Sequence, residues 1–97
     1  MDGDDKGIRT SRERPWYLYL LRCADGKFYT GITPDVEERV AEHQSGHGAD
    51  FTKRRLPVAL VYSERHPTMS AACIREKKVK KWGRRKKRKL IDSWTGC

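Results

Sequence analysis

Apolar residues are scarce in this 97-residue chain, at 36% of the total, and that scarcity limits what it can build. What remains is one small hydrophobic core, near the lower size limit for independent folding, with most polar side chains in water. No run approaches the roughly 20 apolar residues that a membrane-spanning helix requires. Met1 to Arg14 lacks the apolar stretch of a signal peptide and reads as a disordered lead-in. A single domain over 15–92 follows, then a tail over 93–97. Cysteine is sparse as well: Cys23, Cys73 and Cys97 are odd in number, far apart, and include no CxxC pair. A zinc ribbon and a disulfide scaffold are both disfavoured, and the expectation is free thiols in a reducing cytoplasm. No internal repeat or linker divides the chain.

Acidic residues are nearly missing from one stretch. Residues 75–89 hold eleven of the 22 lysines and arginines and a single acid, Glu76, for a local net charge of +10. The rest of the chain nets −1, so the formal charge of +9 resides in this segment. A dense positive face attracts polyanions, nucleic acid first among them. The plainer alternative is a solubilising helix face or a basic tail. Trp82, Leu90, Ile91 and Trp94 do not form the broad apolar stripe of a membrane-surface helix.

Against this polar background, Trp16 to Cys23 is apolar or aromatic on both faces of an alternating pattern, as a central strand would be. Ala24-Asp25-Gly26 supplies a tight turn, and Lys27 to Thr33 is the antiparallel partner, with Tyr29 and Gly31 on one face. Register is open, but Tyr19 and Tyr29 are placed to share a face. Thr33-Pro34-Asp35 starts a helix, with Thr33 as N-cap, that runs to about Gln44. A glycine-broken loop, Gly46 to Ala49, leads to the basic cluster Lys53-Arg54-Arg55. Val58 to Ser63 is a third strand. Thr68 caps a second helix to Trp82, Gly83 interrupts, and Arg84 to Ser93 forms a last basic helix or tail.

Helical geometry brings unusual residues inward. At about 100° per residue, Val36, Arg39, Val40 and His43 share one face of the first helix. An arginine on that stripe needs a partner, either a bound phosphate or an internal carboxylate. On the second helix Met69, Ala72, Cys73, Glu76 and Val79 share a stripe, so the lone acid points inward. These groups suit phosphodiester hydrolysis. Glu76 alone can hold Mg²⁺ or Mn²⁺, because magnesium keeps most of its waters and often takes one or two carboxylates. Arg39 can grip phosphate oxygens in a fork, and His43 can orient or relay a proton. Tyr19 and Tyr29 would act as bases only beside positive charge, and otherwise position water. The plain readings are strand packing for the tyrosines, a solvated or capping His43, and a surface Glu76–Lys80 pair. Contacts to nucleic acid are expected from Lys53, Arg54, Arg55, Lys77, Lys80, Lys81, Arg84 and Arg85.

In order and spacing these residues resemble the GIY-YIG nuclease superfamily, in particular its small single-domain members of bacterial origin, over Trp16 to Ile91. Tyr17-Leu18-Tyr19 matches the first tripeptide in its final tyrosine, with Tyr17 replacing the glycine. Tyr29-Thr30-Gly31 matches the second, with Thr30 for isoleucine. The helix arginine falls on Arg39, the position one turn later on His43, and the metal-binding glutamate on Glu76. Gly46 to Thr52, followed by basic residues and Pro57, is similar to the small-domain branch and to eukaryotic structure-specific endonucleases of the superfamily. The resemblance implies an α/β (α+β) fold, a three-stranded antiparallel sheet flanked by helices in the order β-β-α-β-α-α. It also implies metal-dependent cleavage of DNA at Tyr19, Tyr29, Arg39, His43 and Glu76. The basic segment Arg75 to Lys89 would replace an appended DNA-binding domain. The competing expectation is a nucleic-acid-binding module or accessory subunit without catalysis; a third is an interaction protein whose basic tail meets an acidic partner.

Overall fold

A computed structural model of the chain describes residues 14–94; the expected lead-in, Arg14 apart, and the last three residues of the expected tail lie outside that range. The sheet grows from one hairpin. Strand β1 (Trp16–Arg22) turns through Asp25 and Gly26 into β2 (Phe28–Thr33). Gly26 takes the left-handed φ of +85° that a side chain would oppose, and Asp25 Oδ1 accepts the Lys27 N–H at 3.1 Å to close the turn. Antiparallel pairing sets Tyr19 opposite Gly31 and Leu21 opposite Tyr29, so both tyrosines do project to one face. Strand β3 (Ala59–His66) pairs antiparallel with the other side of β1, giving the order β2-β1-β3. The central position explains the doubly apolar pattern of β1: Leu18, Leu20 and Leu21 are wholly buried. Each contributes about 1.5–3 kcal/mol through burial.

β3 extends three residues past the expected Ser63, through charged sequence that looks like loop. Its end is held because Glu64 accepts hydrogen bonds from Tyr62 Oη at 2.5 Å, His66 Nε2 at 2.6 Å and Arg75 Nε at 2.8 Å. Burial by itself would raise the Glu64 pKa, but the donors, Arg75 foremost, outweigh it and hold the carboxyl below its ordinary range.

Helices cover both faces. Against the Tyr19–Leu21 face lie α1 (Val36–Gln44) and a single turn, α2 (Asp50–Lys53), with Val40, Phe51 and Leu56 packing on Tyr19, Leu21, Cys23 and Val58. Against the Leu18–Leu20 face lie α3 (Met69–Lys80) and α4 (Arg84–Asp92), which bring Val79, Trp82, Leu90 and Ile91 onto Tyr62. The expected β-β-α-β-α-α order therefore holds, with α2 added between α1 and β3.

Three local readings change. The N-cap of α1 is Asp35, whose side chain accepts the Glu38 N–H at 3.0 Å, while Thr33 Oγ1 accepts from Asp35 N in the preceding turn. A carboxylate two residues nearer the helix competes better for the exposed N–H groups at its positive end. α3 stops at Lys80, and Trp82 packs between helices, whereas Thr68 does cap its start by accepting from Ala71 N. Met69 is 51% exposed, so the inward stripe of α3 begins at Ala72. Among the described residues no helix is long and apolar enough to cross a membrane. The narrow stripe of Trp82, Leu90, Ile91 and Trp94 is used in docking to the sheet.

Candidate active site

The centre of the site is a buried chain of hydrogen bonds with one direction. His43, fully buried on α1, lies with Nε2 at 2.9 Å from Tyr19 Oη and Nδ1 at 2.7 Å from Thr52 Oγ1 on α2. The Thr52 hydroxyl donates its proton to the Ala49 carbonyl at 3.0 Å, which leaves its oxygen as an acceptor. His43 must then carry its proton on Nδ1 and donate it to Thr52, so Nε2 is the bare nitrogen that receives the Tyr19 O–H. Burial first, and the nearby Arg39 charge second, push the His43 pKa below its ordinary 6.5, so the ring is neutral at pH 7. Burial likewise raises Tyr19, to about 12, against the pull of Arg39. Tyr19 is thus a neutral phenol whose proton is already directed at a base.

Two glycines make room for this chain. A Cβ at Gly31 would lie 2.7 Å from Tyr19 Oη, and one at Gly48 would lie 2.3 Å from His43 Nδ1. Tyr29 joins from β2, its ring centroid 5.1 Å from that of His43 and 6.2 Å from that of Tyr19. Tyr17 lies earlier on the same strand, in a groove with Pro34, Val36 and Val40. Its bulk at the family's glycine position therefore stays clear of His43.

Arg39 is less deeply placed than its position on the helix suggests and pairs at the surface, where Nη1 bonds the half-exposed Glu42 Oε1 at 2.8 Å, one turn along α1. Glu42 first, and the Tyr19 hydroxyl second, raise its pKa further, so its charge is permanent. A third of its side chain is still exposed, which leaves the guanidinium able to meet a phosphate. Glu76 is half-buried on α3 and close enough that its charge raises the Tyr19 pKa. Its Oε2 lies 3.3 Å from Lys80 Nζ, whose side chain is 56% exposed and free to swing away. Among the described residues no group of three or more His, Cys, Asp and Glu is clustered for a metal. A lone carboxylate outside any such cluster suits Mg²⁺ or Mn²⁺, which take their remaining ligands from water and phosphate.

The expected nucleic-acid contacts divide into two groups. Lys53, Arg54, Lys77, Lys80, Lys81 and Arg85 are exposed. Arg55 and Arg84 also brace the hairpin turn, through Asp25 Oδ2 at 3.0 Å and the Gly26 carbonyl at 2.8 Å. Sequence reasoning brought Tyr19, Tyr29, Arg39, His43 and Glu76 to one region but missed Thr52, Gly48 and the short helix between them. The available signal was Gly46 to Thr52 itself, whose spacing returns a hydroxyl to the helix it has just left.

Residues 15–89 match the family model described as the GIY-YIG catalytic domain. A UPF0213 protein of Natronomonas pharaonis is 50% identical over 80 residues, covering 82% of this chain and 94% of its own length. One from Staphylococcus saprophyticus is 48% identical over 76 residues, covering 78% and 93%. The solution NMR structure of a UPF0213 protein from Bacillus halodurans superposes with a TM-score of 0.55 at 41% identity, over 84% of this chain and 87% of that one.

Proposed function

The chain belongs to the GIY-YIG family, and from that premise we propose that it is a metal-dependent endonuclease that hydrolyses DNA phosphodiester bonds, with branched or repair-type DNA as its substrate. The observation that carries the proposal is the direction of the Tyr19–His43–Thr52 chain. Both His43 nitrogens are satisfied, as any buried histidine's must be; what supports a catalytic reading is that the unprotonated Nε2 is the one facing the Tyr19 hydroxyl, which Arg39 and the Glu76 charge also reach.

In this reading Tyr19 takes a proton from the attacking water as its own proton passes to His43 Nε2. The resulting imidazolium is held by Thr52 through Nδ1–H. Arg39 turns from Glu42 to the phosphate and holds two of its oxygens. Tyr29 orients the water. Glu76 would hold Mg²⁺, or Mn²⁺ in its place; when bound, the ion neutralises charge on the phosphate as it is attacked. The exposed lysines and arginines hold flanking phosphates without reading bases. The free thiols Cys23 and Cys73 suit a reducing cytoplasm.

Incubation with nicked, flapped, branched and linear DNA, in Mg²⁺, Mn²⁺ or chelator, tests the proposal. Cleavage in either metal and none in chelator is the expected result. Tight binding to the same substrates with no cleavage in any metal would instead identify a binding module.

A further inference from the structure

Beside the catalytic cluster lies a recess of about 200 Å³ at the open edge of β2, lined by Phe28, Tyr29, Thr30, Phe51, Lys80 and Lys87. Its floor has unused polar capacity. The Cys23 N–H bonds the Lys27 carbonyl at the hairpin end, so by antiparallel alternation Leu21/Tyr29 and Tyr19/Gly31 are the hydrogen-bonded pairs. Phe28, Thr30 and Ile32 therefore turn their backbone groups outward to the free edge. Thr30 is 4% exposed, and its Oγ1 has no hydrogen-bond partner. Lys87 is half-buried and has no carboxylate partner among the described residues. Burial, and then the charge of Lys80, push its pKa down. An anion between the two ammonium groups would offset both penalties.

The walls are aromatic and fixed. Arg84 lies over Phe28 at 4.9 Å and Arg55 over Phe51 at 4.0 Å, and both arginines are tied to the hairpin turn. Preorganised aromatic walls beside cations suit a ligand with both a flat apolar part and a phosphate. A duplex presents phosphates but keeps its base faces stacked inside, so it cannot use these walls. An unpaired nucleotide can.

We propose that this recess binds one unpaired nucleotide of the substrate strand, adjoining the scissile phosphate, with its phosphate on Lys80 and Lys87 and its sugar and base against Phe28 and Phe51. The placement next to the scissile bond rests on the nuclease reading, through Tyr29, shared by recess and site, and through Lys80, which reaches Glu76. The substrate class that follows is DNA with a single-stranded segment at the cut, such as a flap or an open junction.

Fluorescence anisotropy in chelator, with one oligonucleotide offered single-stranded and as blunt duplex, tests the recess without catalysis. Wild type binds the single strand more tightly. Lys87→Gln weakens single-strand binding about tenfold, as loss of a charge-assisted hydrogen bond should, and flattens the log–log salt dependence by about 0.7. Thr30→Val raises the melting temperature, because a buried hydroxyl without a partner is removed, and weakens single-strand binding; a threonine with no part in the recess would raise the melting temperature and leave binding unchanged. Phe51→Leu removes the preference for single strands and leaves the salt slope unchanged. Wild-type affinity and slope in Lys87→Gln and Thr30→Val, or equal losses on duplex and single strand, would overturn the assignment. Because no cleavage is read, an inactive protein with these binding losses fails only the nuclease proposal, and an active one without them fails only this one.

Discussion

At the scale of single residues, the direction of the proton chain makes definite demands. Thr52→Val deprives His43 Nδ1–H of its acceptor while keeping the shape of the side chain. Turnover should fall about tenfold, the kinetic equivalent of one neutral hydrogen bond, with DNA affinity in chelator unchanged; equal turnover would remove Thr52 from the mechanism. The pH dependence follows from the depressed His43 pKa. The base form persists below pH 6.5, so the acid limb of the kcat/KM profile should lie below that value. Arg39→Gln removes a nearby positive charge and should move the limb upward. A limb fixed in both proteins would separate His43 from the reaction. Glu64 carries stability instead. Its carboxyl is depressed in the folded state, so its contribution is full above pH 4.5 and is lost as pH falls through the lower folded value. Glu64→Gln should cost about 1–3 kcal/mol at neutral pH and blunt the acid transition in thermal melts.

At the scale of elements, the hairpin is where sequence was most legible. Doubly apolar alternation in β1, the Asp25-Gly26 turn and a second tyrosine at the right distance were enough to place Tyr19 and Tyr29 on one face. Less was legible where long-range partners override local pattern. β3 continues through Glu64 and His66 because Arg75 on α3 completes their network, and α2 forms because Phe51 and Thr52 have a buried destination. Four residues are too few to announce a helix by periodicity. Gly31 links element to site: its missing side chain lets the Tyr19 ring lie across β2. Gly31→Ala should destabilise by about 1–3 kcal/mol through overpacking and displace the phenol, lowering activity beyond what the stability loss explains. Activity falling only in step with the folded fraction would contradict that role.

For the whole molecule, charge and chemistry occupy adjoining territory. The C-terminal basic segment, which in sequence could have been a free tail, is docked as α4 by Leu90 and Ile91, with Trp94 beyond it on the same cluster. Arg85, Arg88 and Lys89, among its exposed cations, are thereby held on one body with the sheet. Replacing these three with glutamine should flatten the salt dependence of duplex binding by about 0.9 on a log–log scale for each phosphate that is no longer neutralised; an unchanged slope would place α4 outside the interface. The convergence of tyrosines, arginine, histidine and glutamate was readable because their order and spacing follow a recurring pattern. The supporting layer was not, since Thr52, Gly48 and Thr30 gain meaning only through what lies beside them in space.

The most direct test compares initial rates of DNA cleavage by wild type and Glu76→Ala across a Mg²⁺ titration, with DNA affinity matched in chelator. The account predicts a saturable, metal-dependent rate for wild type and no metal-dependent rate for the variant at equal affinity. Equal cleavage by the two proteins would contradict it.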